Sequence, residues 1–347
     1  MKKTPHGHAA SLFPKPYAQH PAASNEDIMK LPHCSLRRIA CAVASTVTLA
    51  SPVAHAATAA EIASAQALVD QMPPSATLRK IAENGAIVLG AREASIPFSY
   101  MVKQQPTGYS YAIALKVVDE VKRRLKMPNL AVRNVVVTSA NRISYVVNNQ
   151  VDLECGSTAH LAERDPLVAF SNSFFQYGIR MAVKRKSGIR DYADLAHKTV
   201  ATTAGTSDER ILRQMTKDRK LDMRIISARD HGEGFAALKN DRAVAFVMDD
   251  PLLYGQIALQ GKARDDYRVT GESLGNETYG CMMRKGDPVF KRIVDDVIAN
   301  MQRSGEAAKL YEAWFMQPIP PDGVNLQFPM SAEMKALFAN PNDRTLD

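Results

Sequence analysis

Two stretches of the chain repeat one pattern of apolar and polar positions. Val151-Asp152-Leu153-Glu154-Cys155-Gly156-Ser157 and Ala243-Val244-Ala245-Phe246-Val247-Met248-Asp249 each read as a buried strand that ends on a polar residue. The polar ends, Ser157 and Asp249, lie 92 positions apart, and the same offset takes Ser139 to His231. Ser139 and His231 each stand just ahead of a helical pattern. Open α/β sheets present ligands at such strand ends, so the repeat describes two similar lobes facing one cleft.

The remaining pattern extends this reading. Positions 58–71 are alanine-rich and helix-like, and Pro73-Pro74 breaks them. A short helix is expected at 77–84, a strand at 87–89 and an amphipathic helix at 111–125, where Ile113, Val117, Val121 and Leu125 recur every four residues. A strand at 130–137, a helix at 141–148 and a strand at 151–155 complete a βαβαβ start to a parallel sheet. An extended stretch at 174–183 leads away from it. A second set follows, with strands at 199–202, 223–226 and 243–248 and helices at 208–217, 235–240 and 251–259. A short strand at 267–269 precedes another extended stretch at 279–283, which carries the chain back. Helices at 289–303 and 307–315 are left to cover the first lobe. The predicted fold class is α/β, with two doubly wound lobes. Lobe 1 is discontinuous (77–175 and 280–347), lobe 2 is 176–279, and 57–76 is a helical lead-in. The two extended crossings form the hinge.

The N-terminus falls outside this pattern. Arg37-Arg38 precede an apolar, small-residue stretch at 39–53, and Ala54-His55-Ala56 fits a signal-cleavage site. Residues 1–56 are therefore read as an extension and cleaved signal peptide, with Met29-Lys30 a better initiation site than Met1. A stretch so short and so rich in alanine does not favour a permanent membrane span. The chain of 347 residues has a formal net charge of +8, and loss of 1–56 removes six basic and two acidic residues to leave +4. That is too mild a charge to argue for nucleic acid. Cys34 and Cys41 also leave, while Cys155 and Cys281 remain in an oxidising compartment. These two are either a disulfide, between a returning strand and the strand ending at Cys155, or two buried thiols on neighbouring strands. Neither has a His or Cys at ligand spacing, so no metal is expected.

Several longer motifs carry a resemblance. They are Gly90-Ala91-Arg92-Glu93-Ala94-Ser95-Ile96-Pro97-Phe98-Ser99-Tyr100, Thr138-Ser139-Ala140-Asn141-Arg142-Ile143 and Glu154-Cys155-Gly156-Ser157-Thr158 in the first half. The second half adds Ile225-Ile226-Ser227-Ala228-Arg229-Asp230-His231-Gly232, Arg242-Ala243-Val244-Ala245-Phe246-Val247-Met248-Asp249-Asp250, Tyr279-Gly280-Cys281-Met282 and Ile319-Pro320-Pro321. Together they resemble bacterial solute-binding protein family 3, the periplasmic receptors of polar amino-acid ABC transporters. Within that family they are most similar to members that take up glutamate and aspartate.

The resemblance implies a periplasmic-binding-protein-like (type II) fold, a periplasmic location, a monomer, no cofactor, and two partners: L-glutamate or L-aspartate, and an inner-membrane ABC permease. It also implies roles. Arg164 corresponds to the clamp on the ligand α-carboxylate, and Asp249 to the partner of the α-ammonium. Ser157 and the Gly205-Thr206-Ser207 turn supply groups around the α-substituents. Arg92, Ser139, Arg142 and His231 correspond to the pocket for the side-chain carboxylate, although His231 is alternatively a mere neighbour of a capping Asp230. One position departs from the pattern: where relatives carry a hydroxyl two residues after Ser157, this chain has Ala159.

The chemistry suits these residue types. A dicarboxylic amino acid brings two anions and one cation, each costly to remove from water unpaired. Guanidinium groups meet carboxylates bidentately and keep their charge. Gly205-Thr206-Ser207 precedes a helix, whose N-terminal amides and dipole favour an anion. Glu93, Asp250, Trp314, Tyr311, Phe315 and Lys122-Arg123-Arg124 are read as structural. The competing reading is an enzyme of the cyclohexadienyl dehydratase type on the same fold, but no Ser/His/Asp set occurs and arginines and hydroxyls fill the cleft positions. A sensor ectodomain or fusion is disfavoured because no transmembrane helix, kinase segment or second catalytic domain follows.

Overall fold

The computed structural model describes residues 56–346; the expected signal peptide and start site lie outside the described residues. The chain begins with helices α1 (Ala59–Asp70) and α2 (Ala76–Asn84) and strand β1 (Ala86–Ala91). Thr58 caps α1 and Ser75 caps α2, each accepting a backbone N–H one turn ahead. Short strands β2 (Ala94–Ser95), β3 (Ser99–Val102) and β4 (Gln105–Thr107) form a small separate antiparallel sheet. Then come α3 (Tyr109–Leu125), β5 (Ala131–Val136), α4 (Arg142–Val147) and β6 (Leu153–Glu154). The periodic positions Ile113, Val117, Val121 and Leu125 are all buried, and α3 ends where Lys126 takes φ 53°.

The long strand β7 (Val168–Lys184) leads to β8 (Thr199–Thr203), α5 (Ser207–Asp218), β9 (Arg224–Ala228), α6 (His231–Lys239), β10 (Ala245–Asp249), α7 (Asp250–Ala258) and β11 (Tyr267–Thr270). Strand β12 (Asn276–Arg284) returns, followed by α8 (Pro288–Arg303), α9 (Glu306–Tyr311), a π-helical turn at Glu312–Met316 and α10 (Ala332–Ala339).

One sheet runs through the molecule in the order β5-β1-β6-β12-β7-β10-β8-β9, with β11 also pairing β7. The outer pairs β1/β5, β1/β6, β10/β8 and β8/β9 are parallel. The central strands β12 and β7 run antiparallel to each other, and pair antiparallel with β6 and β10 respectively. The two stretches that repeat in sequence therefore occupy matching places, each flanked by a parallel neighbour and by a central strand. The class is mixed α/β.

The structure differs from the sequence pattern in particulars. The extended stretch expected at 174–183 is part of a 17-residue strand. Helix α6 starts at His231 rather than near 235, because the Asp230 side chain accepts the Glu233 N–H and opens it a turn earlier. The strand around Leu153 pairs over only two residues. The small β2/β3/β4 sheet and α10 have no counterpart in the expected elements.

The core beneath the sheet is aromatic. Phe98, Tyr109, Phe175, Tyr279, Tyr311 and Phe315 contact one another edge-on or stacked, with centroids 4.4–6.4 Å apart. Trp314 meets Tyr100 edge-on. These rings pack the return helices against both central strands. Cys155 and Cys281 form a disulfide, next to the register in which Glu154 faces Met282. It links strands of 126 residues' separation at the centre of the sheet.

Candidate functional site

The predicted site residues other than Arg164, which lies in a 3-10 turn at Ala162–Arg164, stand at or past the carboxyl ends of parallel strands. Arg92 follows β1, Ser139 and Arg142 follow β5, and Ser157 follows β6. From the other half, Gly205-Thr206-Ser207 follows β8, His231 follows β9 and Asp249 ends β10. Two half-sheets present the same edge to one another, the arrangement that places ligands in α/β folds.

The first half contributes cations. Arg92, Arg142 and Arg164 are buried to 2%, 2% and 7% relative exposure. Arg92 Nη2 donates to Ser139 Oγ at 2.5 Å and lies 3.5 Å from His231 Nε2. Its backbone N–H is held by Ser99 Oγ at 3.0 Å, which fixes the root of the side chain. Arg164 Nη1 donates to the Ala159 carbonyl at 2.7 Å. The other guanidinium groups are only partly used: Arg92 Nη1, Arg142 Nε and Arg142 Nη1 are buried without a hydrogen-bond partner. Buried donors are normally paired, so these point to a polar occupant. Burial, with Arg92 and Arg164 alongside, lowers Arg142 to about 9. At neutral pH it remains a cation.

Glu154 is the local counter-charge. It is fully buried, its Oε2 accepts from Thr158 Oγ1 at 2.8 Å, and its field offsets part of the burial that lowers both Arg92 and Arg142. Gly90 and Gly156 make room for it: a Cβ at Gly90 would come within 2.9 Å of Glu154 Cγ. One carboxylate among three guanidinium groups leaves this wall positive.

The second half contributes acids. Asp249 accepts from Tyr279 Oη, and its Oδ1 is buried without a partner. Asp208, in the first turn of α5, is buried, and its carboxyl lies within hydrogen-bond reach of that of Asp249, a contact that needs a proton on one of the two. Glu277 Oε2 accepts from Tyr177 Oη and from Ser207 Oγ, both at 2.7 Å. Burial and the charge of Glu277 push Asp208 up to about 8. Burial, Asp208 and Glu277 push Asp249 well above the carboxylate range.

His231 lies between the walls, with Thr203 Oγ1 2.9 Å from Nδ1. Burial, then Arg92 and Arg142, hold its pKa well below the ordinary value, so it is a neutral imidazole. Ser157 Oγ donates to Ser95 Oγ at 3.2 Å.

The turn after β8 is largely committed to its own helix. The Gly205 N–H donates to Glu209 Oε2 at 2.9 Å, and Thr206 caps α5 while its hydroxyl donates to the Thr203 carbonyl at 2.7 Å. Gly205 has φ 75°, and a Cβ there would sit 2.6 Å from Ala140 Cα in the opposite half. The two halves thus meet backbone to backbone. They also meet through Arg229 Nη1 and Glu93 Oε2 at 3.0 Å, and through Gln256 Nε2, which donates to the Ala94 carbonyl at 3.1 Å. Glu93, read as structural from the sequence, is a strut across the cleft.

Sequence reasoning missed Glu154, Asp208 and Glu277 as parts of this site. Glu154 did carry a signal, since it sits between Leu153 and Cys155 in the buried run that ends at Ser157; Glu277, flanked by Asn276 and Thr278, carried little. Asp208 carried none, because an acid in a helix's first turn is ordinary.

Comparison with known proteins adds independent support. The model of "Bacterial extracellular solute-binding proteins, family 3" matches residues 87–317. The chain is 48% identical over 301 residues to a protein of Pseudomonas aeruginosa named "L-glutamate/L-aspartate-binding protein", covering 86% of this chain and 99% of that one. It is 46% identical over 284 residues to the "Glutamate/aspartate import solute-binding protein" of Escherichia coli, covering 81% and 94%. Among solved structures, a cysteine-binding protein of Campylobacter jejuni superposes with a TM-score of 0.61 at 25% identity, covering 70% of this chain and 93% of that chain.

Proposed function

Because the chain belongs to the bacterial extracellular solute-binding proteins of family 3, we propose that it captures glutamate or aspartate between two lobes and delivers it to the inner-membrane permease of an ABC transporter. Its relatives of 46–48% identity are named for glutamate and aspartate, two of them from Escherichia coli and Pseudomonas aeruginosa, and a binding protein rather than an enzyme is the reading they favour. It works in the periplasm, reached through the signal peptide at 1–56, and acts as a monomer.

One observation carries the ligand assignment: Arg92 Nη1 and Arg142 Nε and Nη1 are buried without a partner, while the buried Asp249, close enough for its field to reach Arg92, belongs to an acid cluster with no cation inside it. A molecule with two carboxylates and one ammonium satisfies both walls. Arg164 and Ser157 take the α-carboxylate, Asp249 takes the ammonium, and Arg92, Ser139, Arg142 and neutral His231 take the side-chain carboxylate. Gly205-Thr206-Ser207 closes the site over the ligand. A side-chain amide in place of the carboxylate leaves two cations unpaired, at a cost of about 2–5 kcal/mol.

Lobe 1 is 77–175 with 280–347, and lobe 2 is 176–279. Strands β7 and β12 pass between them as the hinge, and the ligand favours the closed arrangement because only there do both sets of groups reach it.

Titration of ligand-stripped protein with glutamate, aspartate, glutamine and asparagine tests this. The two dicarboxylic amino acids are expected to bind at least about 30-fold more tightly than their amides. Equal or tighter binding of an amide refutes the assignment.

A further inference from the structure

The acidic wall holds more carboxyl groups than one ammonium needs. Asp208 on α5, Asp249 at the end of β10 and Glu277 on β12 are all buried, and they come from three elements distant in sequence. Glu277 accepts from Tyr177 and Ser207, whereas the carboxyls of Asp208 and Asp249 approach each other within hydrogen-bond reach, a contact open to them only when one carries a proton. The unpartnered guanidinium atoms of Arg92 and Arg142 across the cleft are a separate sign that the space between is made for a polar ligand.

We propose that Asp208 and Glu277 join Asp249 in recognising the ligand's ammonium group, and that the cluster holds a shared proton which leaves for bulk solvent as that cation arrives. The proposal rests on the reading of the site as an amino-acid receptor and specifies how it takes the cation.

Three buried carboxylates side by side cannot all ionise cheaply, and neighbouring acids titrate as a unit. The groups facing them bear this out. Tyr177 on β7 and Tyr279 on β12 contribute hydroxyls, not positive charge. Tyr192 approaches Asp208, and its phenol is pushed upward mainly by its burial. Arg92, from the end of β1, is the cation whose field reaches Asp249, and its own charge is engaged first by Glu154. Asp250, next in the chain, turns instead toward the Gly178 N–H and Arg180. Neutral His231 lies against Arg92 and Thr203. In the absence of ligand, Asp208 at about 8 keeps its proton at neutral pH. An ammonium placed among the three supplies the missing positive charge and makes that proton dispensable.

The sign follows from linkage. The free protein binds more protons than the complex, so affinity rises with pH until Asp208 is ionised in the free protein as well.

The test is calorimetric titration of the mature protein with glutamate at pH 7, in phosphate and in Tris, whose ionisation heats differ widely. The difference in observed heat counts protons, and release of about one per glutamate is expected. Between pH 6 and 8 the Kd is expected to fall by up to about tenfold per pH unit and then level off. Asp208→Asn, and Asp208→Ser as a smaller replacement, are expected to bind glutamate with release near zero and a flat profile. Glutamate binding with equal heats in both buffers, or with net proton uptake, overturns the proposal and leaves the ligand assignment standing. So does an Asp208 variant that binds and still releases about one proton. Failure of both glutamate and aspartate to bind overturns the ligand assignment and this proposal with it.

Discussion

Replacing Arg142 by methionine separates what this residue does for binding from what it costs the empty protein. Arg142 is among the largest fully buried side chains, at 2% exposure. Its Nε and Nη1 have no partner, and Arg92 and Arg164 add repulsion to the burial that disfavours its charge. An unpaired buried guanidinium destabilises the fold. Methionine is unbranched, adaptable and apolar, so it fills much of the space without needing a counter-ion. The ligand-free protein is therefore expected to melt no lower than wild type. A gain of about 1 kcal/mol would raise Tm by roughly 2–4 °C in a protein of this size.

Binding moves the opposite way. With Arg92 and Ser139 still in place, the side-chain carboxylate loses one of its two guanidinium partners. The expected cost is about 2–3 kcal/mol, or roughly 30- to 150-fold in Kd for glutamate. Glutamine loses less, because an amide never repaid the second cation, so the gap between the two ligands narrows. Calorimetry with both ligands, alongside thermal melts with and without glutamate, reads each quantity separately. A glutamate Kd within about threefold of wild type, or an unchanged preference over glutamine, would refute the placement of Arg142 in the side-chain pocket.

Arg164→Ala is expected to weaken glutamate and aspartate by the same factor, since both present the same α-carboxylate; a loss confined to one ligand in parallel titrations would contradict that. Gly205→Ala is expected to weaken binding strongly while leaving the ligand-free melt within a few degrees. The new methyl meets Ala140 across the cleft at 2.6 Å and φ 75° disfavours alanine, so wild-type affinity would show that the halves close differently. Denatured chains beginning at residue 57 should contain no free thiol, and reduction should cost about 2–5 kcal/mol of stability; two thiols per chain in a colorimetric assay would exclude the bridge. Small-angle scattering should give a smaller radius of gyration with saturating glutamate, and equal radii with binding confirmed would argue against closure.

The elements legible in the sequence were those with many repeats of one period. Helix α3 shows its apolar stripe over 17 residues, and the two 92-residue-offset strands sit in matching places in the sheet. The β2/β3/β4 sheet was not legible because strands of two to four residues hold too few alternations to form a pattern. Arg92 and Arg142 were visible through their motifs and Arg164 only through the resemblance, and the structure brings Arg92, Arg142, His231 and Ser139 together. The acid cluster was hidden for another reason. Asp208, Asp249 and Glu277 belong to a helix start, a strand end and a crossing strand, and it takes the parallel pairing of β8 with β10 together with the antiparallel pairing of β7 with β10 and β12 to make them neighbours.

On the proposed two-lobe reading, that separation of charge makes recognition and movement one event. Lobe 1 carries an excess of guanidinium groups over carboxylates, and lobe 2 carries acids with no guanidinium of its own among them. With the lobes apart, on that reading, water reaches the guanidinium wall, while Asp208, Asp249 and Glu277 stay side by side on the other. Bringing them together removes that water, and arginine to carboxylate contacts do not replace it: N–H groups of Arg92 and Arg142 stay unpaired, and Asp208 and Asp249 have only each other and hydroxyls. Closing over nothing is therefore opposed by desolvation. A zwitterionic dicarboxylate turns each wall's penalty into a set of charge-assisted hydrogen bonds. Its free energy of binding is differential by construction, because no open form offers both walls at once. A neutral amide or a ligand lacking the ammonium satisfies one wall and leaves the other unpaired. Under the proposed function it then fails twice, binding weakly and leaving the lobes apart, and a permease reading the closed shape would inherit its selectivity from the same buried charges.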